Sequence, residues 1–184
     1  MPSGAHDHAR DARNDSILVW VNGELKPRAE ATVSVFDSGF VLGDGIWEGL
    51  RIHHGHPAFV EQHLDRLWEG AAALMIDIGL SREELTRAVY DTVAANEMTD
   101  GVHVRLMVTR GVKSTPYQDP RVTVGPATIV IIAEHKDPTP ETVEHGLRLF
   151  TTHVRRATPD TLDPKLNAHS KLCLLYTSPS PRDS

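Results

Sequence analysis

Two basic side chains are the first candidates for chemistry in this chain. Lys165 follows Pro164, and the proline holds Asp163 in an extended conformation, so this lysine is expected on a defined turn. A lysine amine in a partly desolvated pocket can lose its proton and form a Schiff base with a carbonyl. From one sequence alone, a solvated loop lysine is the commoner case. Lys171 competes by residue type but lacks the turn.

Arg66 lies in the segment HLDRL, near the start of a predicted helix. Its guanidinium can contact a phosphate through two parallel hydrogen bonds, whereas a lysine would bind the same group as a point charge. Spacing alone favours a plainer interpretation, in which Arg66 is a surface residue paired with Asp65 or Glu69.

Arg105 and His103 share one face of a predicted strand, opposite the aliphatic residues Val102, Val104, Leu106 and Val108. If the aliphatic face is core, Arg105 must face solvent, an interface or a cleft. In a cleft it could hold a substrate carboxylate. The residues alone favour a solvated polar face.

Other kinds of site are not indicated. Histidines cluster at residues 6–8 and 53–56, but nothing there fixes a coordination number, so no metal site is predicted. The glycines of residues 43–49 do not form GxGxxG after a strand, and no GxSxG occurs, so neither a dinucleotide fold nor a serine nucleophile elbow is indicated.

Length and charge narrow the class of protein further. The 184 residues carry a net charge of −6, which is unlike a general nucleic-acid binder or a polybasic membrane binder. No apolar run approaches the roughly 18 residues of a membrane-spanning helix. The polar start of the chain lacks the apolar region of a secretory signal, so a cytoplasmic location is expected.

The hydrophobic pattern predicts a mixed α/β (α+β) fold. The run ILVWV followed by Asn22-Gly23 predicts a type I′ hairpin. Residues 46–53 and 102–109 alternate as strands, and the apolar run 127–133 suits a strand buried on both faces. Two amphipathic helices are predicted between them. One carries Leu64, Leu67, Trp68, Ala71, Leu74 and Met75 on its apolar face, and the other opens with the capping box Ser81–Glu84.

Composition divides the chain into five parts. Residues 1–15 are polar and are expected to be a disordered arm, and residues 16–133 are expected to form a small N-terminal domain. Residues 134–142, with two prolines, are the expected linker to a second unit over residues 143–172 that opens with a strand. Residues 173–184 resemble translated sequencing adapter, so we exclude them from the fold.

The order and spacing of five motifs resemble the class IV aminotransferases, which are the fold-type IV enzymes that use pyridoxal 5'-phosphate. The motifs are VWVNGEL, FVLGDGIWEGLRIHHG, FVEQHLDRL, GVHVRLMVTRG and LDPKLNAHSKL, and they span about Ile17 to Leu172. The resemblance implies a small α/β domain followed by a larger domain, homodimers, and transamination between an amino acid and a 2-oxo acid by a ping-pong mechanism.

The resemblance also implies roles for single residues. Lys165 matches the lysine that forms the Schiff base with the cofactor, and Arg66 matches the arginine that grips the cofactor phosphate. Trp47 matches an aromatic position lining the substrate pocket. Arg105 falls where branched-chain members carry Tyr-x-Arg, and this chain has His103 in place of the tyrosine.

The branch of the family is a further expectation. The segments LGDGIWEG and VTRG look like the D-amino-acid branch, but the stretch GVKSTPYQDPR lacks the Arg-x-His of that branch. Together with Arg105, this favours an L-amino-acid branch of the branched-chain type. Aminodeoxychorismate lyase shares the same lysine and arginine and stays open. A non-catalytic binding or assembly protein with this fold is the alternative from another class, and a metal-binding module built on the histidines is a third.

The resemblance implies that cofactor-binding parts of the larger domain lie beyond about Leu172. These are the glutamate that pairs with the pyridinium nitrogen and the second phosphate clamp. We therefore expect the polypeptide as written to bind pyridoxal phosphate poorly and to be inactive, and measurable turnover would contradict this.

Overall fold

The computed structural model describes residues 10–137, 140–146, 151, 158, 163 and 165–170. Its strands are β1 (Leu18–Val21), β2 (Glu24–Pro27), β3 (Gly45–His53), β4 (His56–Pro57), β5 (Val102–Thr109) and β6 (Thr128–His135). Its α-helices are α1 (Ser38–Leu42), α2 (Val60–Ala73), α3 (Arg82–Ala95) and α4 (Pro140–His145).

The predicted hairpin at the start of the chain is confirmed. Strands β1 and β2 pair in antiparallel register with Val21 opposite Glu24. Asn22 and Gly23 form the turn with φ angles of 50° and 98°, and a type I′ turn requires positive φ at both positions. The Asn22 side chain accepts a hydrogen bond from the backbone of Ile129, which ties the hairpin to β6.

Six strands form one sheet in the order β2-β1-β6-β5-β3-β4, with every neighbouring pair antiparallel. Helices α2 and α3 contact the sheet and share one hydrophobic core with its buried residues. The expectation that β6 is buried on both faces is wrong. Ile129, Ile131 and Ala133 are buried, whereas Val130 and Ile132 are partly exposed, because they lie on the opposite face.

The two predicted amphipathic helices are present as α2 and α3. Leu64, Leu67 and Ala71 of α2 are buried, as the periodicity predicts. Met75, placed on the same face by the pattern, is 82% exposed because the helix ends at Ala73 and Met75 has a φ of 54°. The capping box of α3 is confirmed, since the side chains of Ser81 and Glu84 each accept from the backbone of the other.

Two of the segments that composition sets apart contain regular secondary structure. Residues 12–14, inside the expected disordered arm, form a 3₁₀ helix, because Asn14 exchanges hydrogen bonds with the backbone of His135. Within the expected linker, β6 runs to His135 and α4 begins at Pro140. Most of the strand expected at 146–154 and all of the tail 173–184 lie outside the described residues.

Arg110 joins the end of β5 to two other segments. Its guanidinium donates to both carboxylate oxygens of Asp44, at 2.7 and 3.1 Å, and to the carbonyls of Leu74 and Met75, each at 2.8 Å. The pair is largely buried, so the loop before β3 is fixed against the end of α2. Among the described residues, no helix has the length and apolar character needed to cross a membrane.

Candidate active site

Strand β3 carries two neighbouring residues to opposite faces of the sheet. Glu48 lies on the helix-covered face, between the buried residues Ile46 and Leu50, and its side chain is fully buried. Trp47 lies on the other face and is partly exposed. This division follows from the period of two along a strand, and it creates two separate clusters of polar side chains.

The first cluster surrounds the carboxylate of Glu48. Arg66 of α2 donates to it twice, from Nε at 2.7 Å and from Nη2 at 2.6 Å. His63, one turn earlier on α2, contacts the Oε2 atom through Nδ1 at 2.7 Å. Burial alone would raise the pKa of Glu48, but the hydrogen bonds and charges of Arg66 and His63 outweigh it and lower the pKa overall. Glu48 is therefore an ionised carboxylate inside the core.

This arrangement decides the partner of Arg66. The expected pairing with Asp65 or Glu69 is wrong, because Arg66 turns inward to Glu48 while Asp65 pairs with Arg82 on α3. The Arg66 side chain is 49% exposed, and the ion pair uses Nε and Nη2 but not Nη1. The guanidinium is thus held by a buried anchor while part of it stays accessible.

The second cluster lies on the opposite face of the sheet. The guanidinium carbon of Arg105 sits 3.9 Å from the centre of the Trp47 ring, in a cation–π contact. Arg105 makes no hydrogen bond to any residue in the described ranges, and burial lowers its pKa. A half-buried guanidinium stacked on a ring can bind a carboxylate through its N–H groups. The prediction that Arg105 lies on the strand face opposite the aliphatic residues is confirmed. The role of Arg105 in binding a substrate stays a prediction.

His103 stands two residues before Arg105 on the same face. Its ring approaches Gly49 so closely that a Cβ on that glycine would lie 2.9 Å from Nε2. Burial, followed by the charges of Arg105, Arg51 and Lys136, lowers the pKa of His103 to about 4. His103 is therefore neutral at pH 7 and adds no charge to the cluster.

The low pKa of His103 predicts a pH-dependent stability. The ordinary value is 6.5 and the folded value is about 4, so between them the unfolded chain binds a proton that the folded protein does not. The free energy of unfolding should then fall as pH drops through this window and level off below it. Between about pH 7 and about pH 5, the wild type should lose about 1–2 kcal/mol of unfolding free energy, and His103→Gln should lack this loss. Urea unfolding measures both.

The exposed His54 supplies the control for this measurement, since its side chain is 94% exposed. His54→Gln, measured in parallel, gives the effect of replacing an exposed imidazole by an amide. An equal loss of stability in the wild type and in His103→Gln would show that the groups responsible lie elsewhere.

A segment from the end of the described chain joins the two clusters. Ala168 pairs with Ile46 in an antiparallel bridge, the Trp47 amide donates to the Asn167 carbonyl at 2.9 Å, and the His169 amide donates to the Gly45 carbonyl at 2.9 Å. The segment thus extends the sheet along β3. Asn167 Nδ2 lies 3.4 Å from Glu48 Oε1, and Trp47 Nε1 donates to the Ala168 carbonyl at 3.2 Å.

Lys165 begins this segment but is not part of either cluster as it stands. It lies in a turn, its side chain is exposed, and its backbone amide donates to the Asp163 side chain at 2.9 Å. The turn predicted from Pro164 is therefore present. The Lys165 side chain makes no hydrogen bond or ion pair with the described part of the chain.

Three residues of the site did not follow from the sequence reasoning. Glu48 gave the clearest signal, because a carboxylate among Ile46, Leu50 and Ile52 needs a buried cationic partner. His63 lies three residues before Arg66 and so shares its helix face. Asn167 gave no signal, since only the folded sheet brings it to Glu48.

The histidine groups behave differently from metal sites where they are described. His54 contacts Asp100, and His56 contacts the hydroxyl of Tyr90. In the described ranges, no three His, Cys, Asp or Glu side chains come together as metal ligands. Residues 6–8 lie outside those ranges.

Comparisons with known proteins agree on one family. The family model of amino-transferase class IV matches residues 45–175. The branched-chain-amino-acid aminotransferase-like protein 1 of Arabidopsis thaliana is 42% identical over 159 residues, which is 86% of this chain and 28% of that protein. A putative branched-chain-amino-acid aminotransferase of Methanocaldococcus jannaschii is 39% identical, over 82% of this chain and 50% of that protein.

Solved structures give the same result. The branched-chain amino acid aminotransferase of T.th., complexed with N-(5'-phosphopyridoxyl)-L-glutamate, superposes with a TM-score of 0.71 at 25% identity. The match covers 84% of this chain and 50% of that one. Similar proteins also include a D-alanine aminotransferase of Listeria monocytogenes, 40% identical over 52% of this chain and 33% of that protein.

A 4-amino-4-deoxychorismate lyase of Pseudomonas aeruginosa is similar as well, at 30% identity and a TM-score of 0.53, over 68% of this chain and 42% of that one. The chain therefore spans half or less of the length of these relatives. From the extent of the family match and the shared fold, we conclude that this chain belongs to the class IV aminotransferases.

Proposed function

We propose that the protein exchanges an amino group between an L-amino acid of the branched-chain type and a 2-oxo acid, with pyridoxal 5'-phosphate as its cofactor. The observation that carries the proposal is Arg66, an accessible guanidinium fixed by the buried Glu48. The whole protein is proposed to act as a homodimer, in keeping with the resemblance.

The residues present fit the phosphate end of this cofactor. Arg66 has a planar array of donors suited to phosphate oxygens, and Glu48 already fixes the orientation of that array. Because Nε and Nη2 are held by Glu48, the Nη1 side is the part proposed to bind the phosphate. Pre-orientation of this kind reduces the entropy lost when a ligand binds.

The position of Lys165 is compatible with the aldehyde end. Lys165 lies two residues before Asn167, whose amide touches the carboxylate that binds Arg66. Two residues span at most about 7 Å of chain, and lysine adds a flexible four-carbon stem. One small cofactor can therefore bridge the two groups. We propose Lys165 as the amine that binds the cofactor and moves a proton at the substrate α-carbon.

The cofactor, when bound, supplies the electron sink that makes the α-carbon acidic. The chain's own part is to place the substrate. Arg105 is proposed to bind the α-carboxylate, and the Trp47 ring beneath it to hold the guanidinium flat. His103 is proposed to line the same pocket, where its neutral ring can hydrogen-bond without competing with Arg105 for the carboxylate.

Two observations support the L-branched-chain branch over its alternatives. Two relatives with branched-chain names, 42% and 39% identical, match over 86% and 82% of this chain. The stretch after β5 also lacks an Arg-x-His pair. The D-alanine aminotransferases match over a smaller share of the chain. The lyase uses the same lysine and arginine, so those two residues do not separate it.

A panel of amino donors tests this proposal. The full-length protein is loaded with pyridoxal phosphate and mixed in single-turnover amounts with L-leucine, L-valine, D-alanine or aminodeoxychorismate, and the released oxo acid is measured. We expect the L-branched-chain donors to react at least about tenfold faster, which corresponds to a barrier difference of about 1.4 kcal/mol.

Faster reaction of D-alanine would move the protein to the D-amino-acid branch, and pyruvate released from aminodeoxychorismate would make it a lyase. A full-length protein that takes up no cofactor and reacts with none of the donors would favour the non-catalytic binding or assembly role.

A further inference from the structure

We propose that Asn167 contacts the bound cofactor and positions it between the phosphate site and the substrate site. This inference rests on the proposed function, because it concerns the same pocket. It assigns a role to a residue that the sequence motifs did not single out.

Asn167 is the point where the two clusters of the site meet. The Glu48–Arg66 pair lies on the helix-covered face of the sheet, and Trp47 with Arg105 lies on the other face. Residues 167 and 168 contact both, through Glu48 Oε1 and through the Trp47 amide and ring nitrogens. A ligand whose phosphate is on Arg66 and whose reacting carbon faces a carboxylate on Arg105 must therefore pass this part of the β3 edge.

The backbone at this point is fixed. Hydrogen bonds from Trp47 to the Asn167 carbonyl and from His169 to the Gly45 carbonyl, each 2.9 Å, lie on either side of the Ile46–Ala168 bridge. The His169 ring adds a contact to the Ile46 carbonyl at 3.0 Å. A side chain at position 167 thus projects from an extended, paired backbone rather than from a loose loop.

The amide of Asn167 is also the donor that Glu48 can most easily release. The other three contacts to this carboxylate measure 2.6–2.7 Å, whereas the Asn167 contact measures 3.4 Å. Turning the amide toward a ligand would leave Glu48 with its three short hydrogen bonds. An amide offers both a donor and an acceptor, so it suits an oxygen or a ring nitrogen of the cofactor.

Removal of the amide gives the first test. Asn167→Ala should weaken the binding of pyridoxal phosphate about fivefold, the effect of one lost hydrogen bond. Binding is followed by the absorbance of the cofactor titrated into the protein, and thermal unfolding checks that the variant is folded. The affinity of Asn167→Ser, which keeps a small polar group, should fall between those of the wild type and Asn167→Ala. Affinity within twofold of the wild type in both variants would overturn the proposal.

A lysine placed at position 167 gives the second test. In the Lys165→Ala, Asn167→Lys double variant, the new amine should add to the cofactor aldehyde with loss of water, and borohydride should then deliver hydride to the C=N bond. Peptide mass mapping should find the fixed cofactor on residue 167, at least tenfold above Lys165→Ala alone. Fixation at other lysines only would show that position 167 does not face the aldehyde.

The two proposals fail in distinguishable ways. A full-length wild-type protein that binds no pyridoxal phosphate overturns the proposed function and this inference together. Normal binding by the wild type that is unaffected by either change at position 167 overturns this inference alone.

Discussion

Replacing Arg66 by alanine should destabilise the folded protein by about 3 kcal/mol and lower its retention of pyridoxal phosphate about tenfold or more. The first effect arises because Glu48 is fully buried and would lose two of its hydrogen bonds together with its countercharge. The second arises because a charge-assisted hydrogen bond to phosphate contributes about 1.5–3 kcal/mol. Urea unfolding and retention of the cofactor through gel filtration measure the two effects separately.

A double variant separates folding from binding. Glu48→Gln combined with Arg66→Ala removes the buried charge along with its partner, so much of the lost stability should return while the cofactor is still not retained. Arg66→Lys keeps one charge without the fork and should be intermediate in both measurements. Full retention of the cofactor by the double variant would show that Arg66 does not hold the phosphate.

As a single change, Lys165→Ala should abolish the covalent attachment of the cofactor to the protein. The reason is that alanine has no amine, and Lys165 is the lysine on the turn that leads into the β3 edge. After borohydride treatment, the amount of cofactor fixed covalently per chain should drop at least tenfold, as measured by intact-protein mass. Because Lys165 is exposed, thermal stability should change by less than about 0.5 kcal/mol.

Lys171 provides the matched control, since it lies in the same motif and has the same side chain. Lys171→Ala should keep the full amount of covalently fixed cofactor. If the fixed cofactor is still found in Lys165→Ala and is lost in Lys171→Ala, Lys165 is not the attachment residue. The turn before the β3 edge then has no role in attachment.

Local signals in the sequence predicted most of the secondary structure. Asn22-Gly23 and Ser81–Glu84 act through hydrogen bonds within a few residues, so their motifs are enough to predict the turn and the helix start. Met75 shows where this reasoning stops. The helical spacing of apolar residues continues past Ala73 in the sequence, but the helix ends there and Met75 adopts a left-handed conformation. The hydrophobic pattern does not predict that conformation.

The candidate site was less predictable because its contacts join distant parts of the chain. The resemblance identifies Arg66, and spacing predicts a partner near it on the same helix, whereas its partner in the structure lies 18 residues earlier on a strand. Asn14, within the expected disordered arm, is ordered for the same reason, since its hydrogen bonds to His135 span 121 positions. Tertiary contacts of this kind depend on the topology of the sheet, which no local pattern determines.

The strand edge that residues 167–169 cover has a consequence for folding. Glu48 and Asn167 are 119 positions apart, so this pairing closes a very long loop and belongs to the slow, high-contact-order part of folding. Strand β4 pairs with β3 only at Ile52 and His53. Until the later segment arrives, the backbone groups of Gly45–Glu48 on that side can pair with a strand from another molecule. Completion of the site and protection against misassembly are therefore the same event.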